Sequence, residues 1–175
     1  MIILVKETAA RKVRTLLDFS KEDLLERIKD DNGYHEGICC RNPNTIIRVF
    51  FDYDWDKEGL EDLMERLCRE MQCEKTDWAI SCGTREGKVS YHILSKKFCM
   101  SINNLQAFQR RLYKDHKCID FTVLQVSITD ETECAFLRLP NQSKDGVNKS
   151  APPMRILQGE LSDFLVTDIE GLIVK

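Results

Sequence analysis

Ile46-Ile-Arg-Val-Phe-Phe-Asp-Tyr-Asp54 is the stretch on which the fold turns. β-Branched and aromatic side chains crowd it, and Arg48 is its only charge before the two aspartates, which predicts a central, buried strand. Working outward, Leu60, Leu63, Met64, Leu67, Cys68 and Met71 recur at spacings of three and four within Asp56 to Gln72. That is the stripe of an amphipathic helix with one face on a sheet. Trp78 to Cys82 and Lys88 to Leu94 are short strands, joined by Gly83-Thr-Arg-Glu-Gly87 with glycine at both ends. Ser101 caps a second helix in which Ile102, Leu105, Phe108 and Leu112 repeat at helical spacing. Cys118 to Ile128 returns to strand, and Cys134 to Leu139 is another.

In order, residues 46 to 128 spell β-α-β-β-α-β, an α+β fold with a split βαβ core of the ferredoxin-like or RRM-like kind. With right-handed crossovers, the first and third strands become antiparallel neighbours and the fourth lies on the other side of the first. Upstream, Ser20 opens a helix, with Asp23 as capping partner and Leu24, Leu25 and Ile28 as its stripe. Residues 1–44 read as an accessory α/β segment in front of a core over 45–168, within one domain spanning 1–175. Asn32 to Asn44, rich in glycine and asparagine and without hydrophobic period, reads as a loop.

The 175 residues are 42% hydrophobic and 31% charged, enough for one buried core and too few for two ordinary domains. A net charge of −3 and a pI near 5.7 exclude nucleic-acid binding by bulk charge, so phosphate must be held by a local cluster. Lys6 and Glu7 interrupt the apolar start before a signal region forms. The eight cysteines are therefore read as reduced thiols in an intracellular compartment, acting as small buried hydrophobes. They form no CxxC pair, and three histidines offer little to complete a zinc site. No apolar run is long enough for a membrane span.

Asp52 and Asp54 stand two apart on a strand, so both carboxylates leave the same face near its C-terminal end. Carboxylate oxygens suit hard divalent ions, and a two-metal site can stabilise both the attacking and the leaving oxygen of phosphoryl transfer. An Asp-x-Asp at a strand end also serves as a turn or cap. Lys88, Ser90 and His92 alternate on the third strand and share a face, a set of donors suited to a triphosphate. The bland alternative is a solvated face, with Val89, Tyr91 and Ile93 turned inward. The antiparallel order brings Lys88 to His92 beside Asp52 and Asp54, and places Asp120 where it can supply a third carboxylate. Asp130, in Thr129-Asp-Glu-Thr132, is the other choice and reads more readily as a turn residue. Arg138-Leu-Pro-Asn-Gln-Ser-Lys144 ends a strand and enters a loop in which Arg138, Ser143 and Lys144 are available for phosphate or template backbone.

Taken in order, these segments resemble the archaeo-eukaryotic primase superfamily, above all its primase-polymerases and the primase domains of large DNA viruses. Phe50-Phe-Asp-Tyr-Asp54 is similar to the first motif, acid-x-acid after a hydrophobic strand. Lys88-Val-Ser-Tyr-His92 is similar to the second, whose lysine, serine and histidine contact phosphates. Asp120, Arg138, Ser143 and Lys144 stand for the third, although Asp120 lies farther from Arg138 than in that family and the usual tyrosine-asparagine stretch is missing. Gly159-Glu-Leu-Ser-Asp-Phe-Leu165 is similar to the segment after the core in viral primase-helicases, and the chain reads as a fragment of a larger replication protein.

The resemblance implies template-directed nucleotidyl transfer, with two Mg²⁺ or Mn²⁺ ions held by Asp52, Asp54 and Asp120. Lys88, Ser90, His92, Arg138, Ser143 and Lys144 would hold the nucleotide. It also implies nucleoside triphosphates and a single-stranded DNA template as partners, a helicase domain or subunit, and work at a host nucleus or viral replication site. Two other classes fit the residues. A metal-dependent nuclease or nucleotide phosphohydrolase could use the same carboxylates. A non-catalytic RRM-like module could use Phe50, Phe51, Tyr53 and Trp55 as stacking surfaces, with Asp52 and Asp54 opposing nucleic acid there.

Overall fold

The computed structural model describes residues 2–6, 17–30, 33–55, 59–83, 87–125, 134–143 and 153–175. Its elements run β1 (Ile2–Lys6), β2 (Leu17–Phe19), α1 (Lys21–Arg27), β3 (Tyr34–Cys39), β4 (Ile46–Trp55), α2 (Leu60–Met71), β5 (Trp78–Cys82), β6 (Val89–Ser101), α3 (Ile102–Tyr113), β7 (Cys134–Arg138), β8 (Arg155–Gln158) and β9 (Ile173–Val174). Short 3-10 turns precede β5 and follow β8. The chain is thus mixed α and β, with two mainly antiparallel sheets and three α-helices among the described residues.

One sheet has the order β4-β6-β5-β8, with β9 joining β6 in parallel; the other has the order β2-β1-β3-β7. In the first, Asp52 pairs with His92 and Asp54 with Ser90. Directly paired residues share a face, so the odd-numbered Phe51, Tyr53, Tyr91 and Ile93 line the opposite side. That side is apolar and faces the helices. Phe51 meets Phe108 of α3 edge-on at 5.6 Å, and Trp78 at 6.1 Å. Leu63, Met64, Leu67 and Met71 of α2 and Leu105 and Leu112 of α3 join the same core. The caps agree with the sequence: Ser20 and Ser101 each accept an N–H three residues on.

Three expectations need correction. Asn32 to Asn44 is not all loop, because Tyr34–Cys39 forms β3 between β1 and β7. Two polar residues and a glycine, His35-Glu-Gly37, hide its strand pattern, and Glu36 is buried there because it bonds to Val166 and Thr167. The front segment is consequently woven into a sheet with β7 from late in the chain.

Cys118 to Ile128 does not form a continuous strand: an isolated bridge joins Ile119 to Tyr53, and residues 121–124 are turn. The Asp120 carboxylate accepts the Thr122 N–H at 2.8 Å and the Thr122 hydroxyl, which bends the chain off the sheet. Residues 126–128 lie outside the described residues. Though that strand is shortened, β4 is buried and is paired on both edges, along β6 on one side and with residues 118–120 on the other.

Arg48, the lone charge of β4, is buried and satisfied. Between the Arg48–Cys99 and Phe50–Leu94 pairs, β6 advances five residues against two on β4, a bulge that leaves room for the guanidinium. It donates to the Ser95, Leu165 and Asp168 carbonyls, each at 3.0 Å. Glu36 of β3 grips the same C-terminal segment, accepting from the Val166 N–H at 2.6 Å and from the Thr167 N–H at 2.8 Å and hydroxyl at 2.6 Å. Residues 165–168 therefore tie the two sheets together and fix the spacing of the cleft between them.

Candidate active site

The two sheets enclose a cavity of about 170 Å³ lined by Asp52, Asp54, Lys88, Ser90, His92 and Gly83 from one side and His35, Phe136, Leu137 and Arg138 from the other. Its first wall is the even-numbered face of β4 and β6. Lys88 Nζ lies 2.6 Å from Asp54 Oδ2. His92 Nε2 lies 3.7 Å from Asp52 Oδ1. This second contact is no ion pair, because burial, with Arg138 as the next cause, pushes the imidazole pKa down to about 3 and keeps the ring neutral. A His92 ring N–H is instead bonded to the Arg138 backbone carbonyl, across the two sheets.

Burial, the Asp54 carboxylate and the Asp120 carboxylate, in that order, push the Asp52 pKa up to about 8. Arg138 and Lys88 oppose the rise without cancelling it. Asp52 Oδ1 and Asp54 Oδ1 are both buried and have no hydrogen-bond partner. Two desolvated carboxylate oxygens facing one cleft without a donor are costly to fold, and oxygens of this kind are the ligands hard divalent cations take. The residues therefore fit a divalent ion. Among the described residues no three His, Cys, Asp or Glu side chains form a ready-made cluster, so the fit rests on the aspartate pair.

The structure brings together Asp52, Asp54, Lys88, Ser90, His92 and Arg138. Asp120 is adjacent, since its N–H donates to the Asp52 carbonyl at 2.8 Å, but its carboxylate is turned onto Thr122. Ser143 is fully buried and is not part of the cleft lining. Lys144 and Asp130 lie outside the described residues. Sequence reasoning missed His35, Gly83, Phe136 and Leu137. His35 pairs with Arg138, and Gly37 with Phe136, so β3 and β7 present a second polar and aromatic wall. Alternation within Tyr34-His-Glu-Gly-Ile38 was the available signal.

None of the eight cysteines is in a disulfide, and only Cys99 and Cys134 are buried; Cys39 is exposed and the other five are half-buried, so the reading as buried hydrophobes holds for two. No described helix is long and apolar enough to cross a membrane. No family model matches the sequence, and no curated protein matches it.

Proposed function

We propose that this chain is the catalytic domain of a DNA primase-polymerase, joining nucleotides on a template by metal-dependent nucleotidyl transfer. The observation that carries the reading is the pair of buried, partnerless Oδ1 atoms of Asp52 and Asp54 in a cleft whose other polar lining is Lys88, Ser90, His92, His35 and Arg138. An acidic pocket for cations, ringed by cationic and neutral donors, is what a metal-bound triphosphate requires. The strand order also supports an RRM-like, split βαβ core: residues 118–120, then β4, β6 and β5, with α2 and α3 as the crossovers.

In this reading Asp52 and Asp54 hold Mg²⁺ or Mn²⁺, which when bound would neutralise charge on the attacking and leaving oxygens. Asp120 would be a third ligand if its carboxylate turned away from Thr122. Lys88 and Arg138 bind phosphate oxygens by charge, while Ser90 and neutral His92 add directed hydrogen bonds, aligning the triphosphate. With its pKa near 3, His92 is a phosphate ligand and not a proton shuttle. Single-stranded DNA is the template, and a helicase domain or subunit the partner.

The test is strand synthesis on primed and unprimed single-stranded DNA with labelled nucleotides and Mg²⁺ or Mn²⁺, comparing the parent with Asp52→Asn/Asp54→Asn and His92→Ala. Pyrophosphate release and strand extension, lost in the folded variants, are expected. Metal-dependent strand cleavage without extension would replace the proposal with a nuclease, and binding without either activity would replace it with an RRM-like binding module.

A further inference from the structure

Far from the cleft, the C-terminus of α2 brings two thiols together. Gln72 adopts the left-handed conformation (φ 54°, ψ 57°), and its N–H turns back to the Cys68 carbonyl. The Cys73 N–H reaches the same carbonyl at 3.0 Å. This is a Schellman-type cap, whose geometry places the side chains at the two ends of the six-residue turn, normally apolar, in contact. Here both are cysteines. The Cys73 thiol lies within hydrogen-bonding reach of Cys68, with the Trp78 indole beside it.

A disulfide requires its two Cα atoms roughly 4.4–6.8 Å apart, and a backbone bond from Cys73 N to Cys68 O brings the two residues into that kind of contact. Both cysteines are half-buried and line an open hollow of about 480 Å³ with Glu65, Glu74, Lys75 and Thr76, which gives a small reagent a way in. Elsewhere Cys39 and Cys134 face each other across β3 and β7, but Cys134 is buried, as is Cys99, and successive Cys39 and Cys40 point to opposite sides of the chain.

We propose that Cys68 and Cys73 are a dithiol site that small-molecule disulfides, of the oxidised-glutathione class, convert to an internal disulfide. In the first step a cysteine thiolate attacks one sulfur of the small disulfide, forming a mixed disulfide and releasing one small thiolate. In the second, the other cysteine displaces the remaining small thiol. One S–S bond breaks and one forms, the two protein thiols lose two electrons to the reagent, and their two protons leave on the two released thiols. Burial and the neighbouring Cys68 push the Cys73 pKa up to about 11, so Cys73 keeps its proton at neutral pH and acts second, after Cys68. The product pins the last turn of α2 to the segment entering β5. Reduction by a small dithiol reverses it.

The experiment exposes the full chain, natively folded, to oxidised glutathione, blocks remaining thiols by alkylation and maps all eight cysteines by peptide mass. The expected result is loss of two thiols together, as a Cys68–Cys73 link restored by dithiothreitol. In Cys73→Ser a glutathione adduct accumulates on Cys68; Cys68→Ser forms no link. Exposed Cys39 reports that the reagent is active. The proposal is overturned if Cys39 reacts while Cys68 and Cys73 stay alkylatable, or if both carry separate glutathione adducts without linking. Circular dichroism matching the parent shows that the serine variants are folded, and the parent's own map decides the matter where they are not.

Discussion

Replacing Asp52 by asparagine should make the metal-free protein more stable. Asp52 Oδ1 is buried without a partner, Asp54 and Asp120 repel its charge, and His92, 3.7 Å away, is neutral. Asparagine keeps the shape and removes the charge. Relief of one buried, unsatisfied polar group is worth about 1–3 kcal/mol, reduced somewhat by the lost attraction to Arg138 and Lys88. In a 175-residue chain that raises Tm by about 2–12 °C, at roughly 2–4 °C per kcal/mol.

The pH dependence has a defined sign. The folded pKa of Asp52, about 8, lies above its ordinary 3.8, so the folded state binds this proton more tightly than the unfolded state. The penalty is absent below the ordinary value, grows as pH rises through the interval, and levels off above the folded value. The advantage of Asp52→Asn over the parent should therefore be small at about pH 5 and large at about pH 9. Thermal melts of both proteins in EDTA at the two pH values measure it. Repeating them with Mn²⁺ should raise the parent's Tm and leave the variant nearly unmoved, since ligand binding stabilises only the fold that binds it. A variant less stable than the parent in EDTA at the higher pH would refute the account of Asp52 as an uncompensated buried carboxylate.

Lys88→Met should raise the KM for nucleotide by about tenfold to a hundredfold, the cost of one charged hydrogen bond, in steady-state extension assays. Glu36→Ala leaves the Val166 and Thr167 N–H groups without their carboxylate and should cost roughly 3 kcal/mol in urea denaturation; an unchanged midpoint would show that the C-terminal segment does not hold the sheets. Gly159→Ala would put a Cβ 2.8 Å from the Ala79 Cβ at a residue whose φ is +96°, and should lower Tm measurably, by about 1–3 kcal/mol of stability.

Local pattern made much of this protein legible. β4, α2, β5, the first part of β6, α3 and β7 follow from periods of two and of three to four, and both helix caps follow from a serine placed just before a helical stripe. Alternation alone also put Asp52 with Asp54 and Lys88 with Ser90 and His92, because side-chain direction along a strand is a local property. Their meeting followed from the handedness of crossovers, a rule that needs only element order.

What local pattern could not decide was where long-range partners override propensity. Tyr34–Cys39 becomes a strand because β1 and β7 supply its hydrogen bonds and residues 166–167 occupy Glu36; none of these is visible within the segment. Residues 121–124 leave the sheet because one Asp120–Thr122 turn outcompetes further pairing with β4. The second wall of the cleft, with His35 and Phe136, depends on that same pairing of distant strands. The sequence by itself determined which side chains share a face, since that is set by backbone geometry over two to four residues. Only the tertiary structure decided which faces oppose one another, how deeply the aspartates are desolvated and that neither Oδ1 has a partner, because these depend on atoms brought from far along the chain.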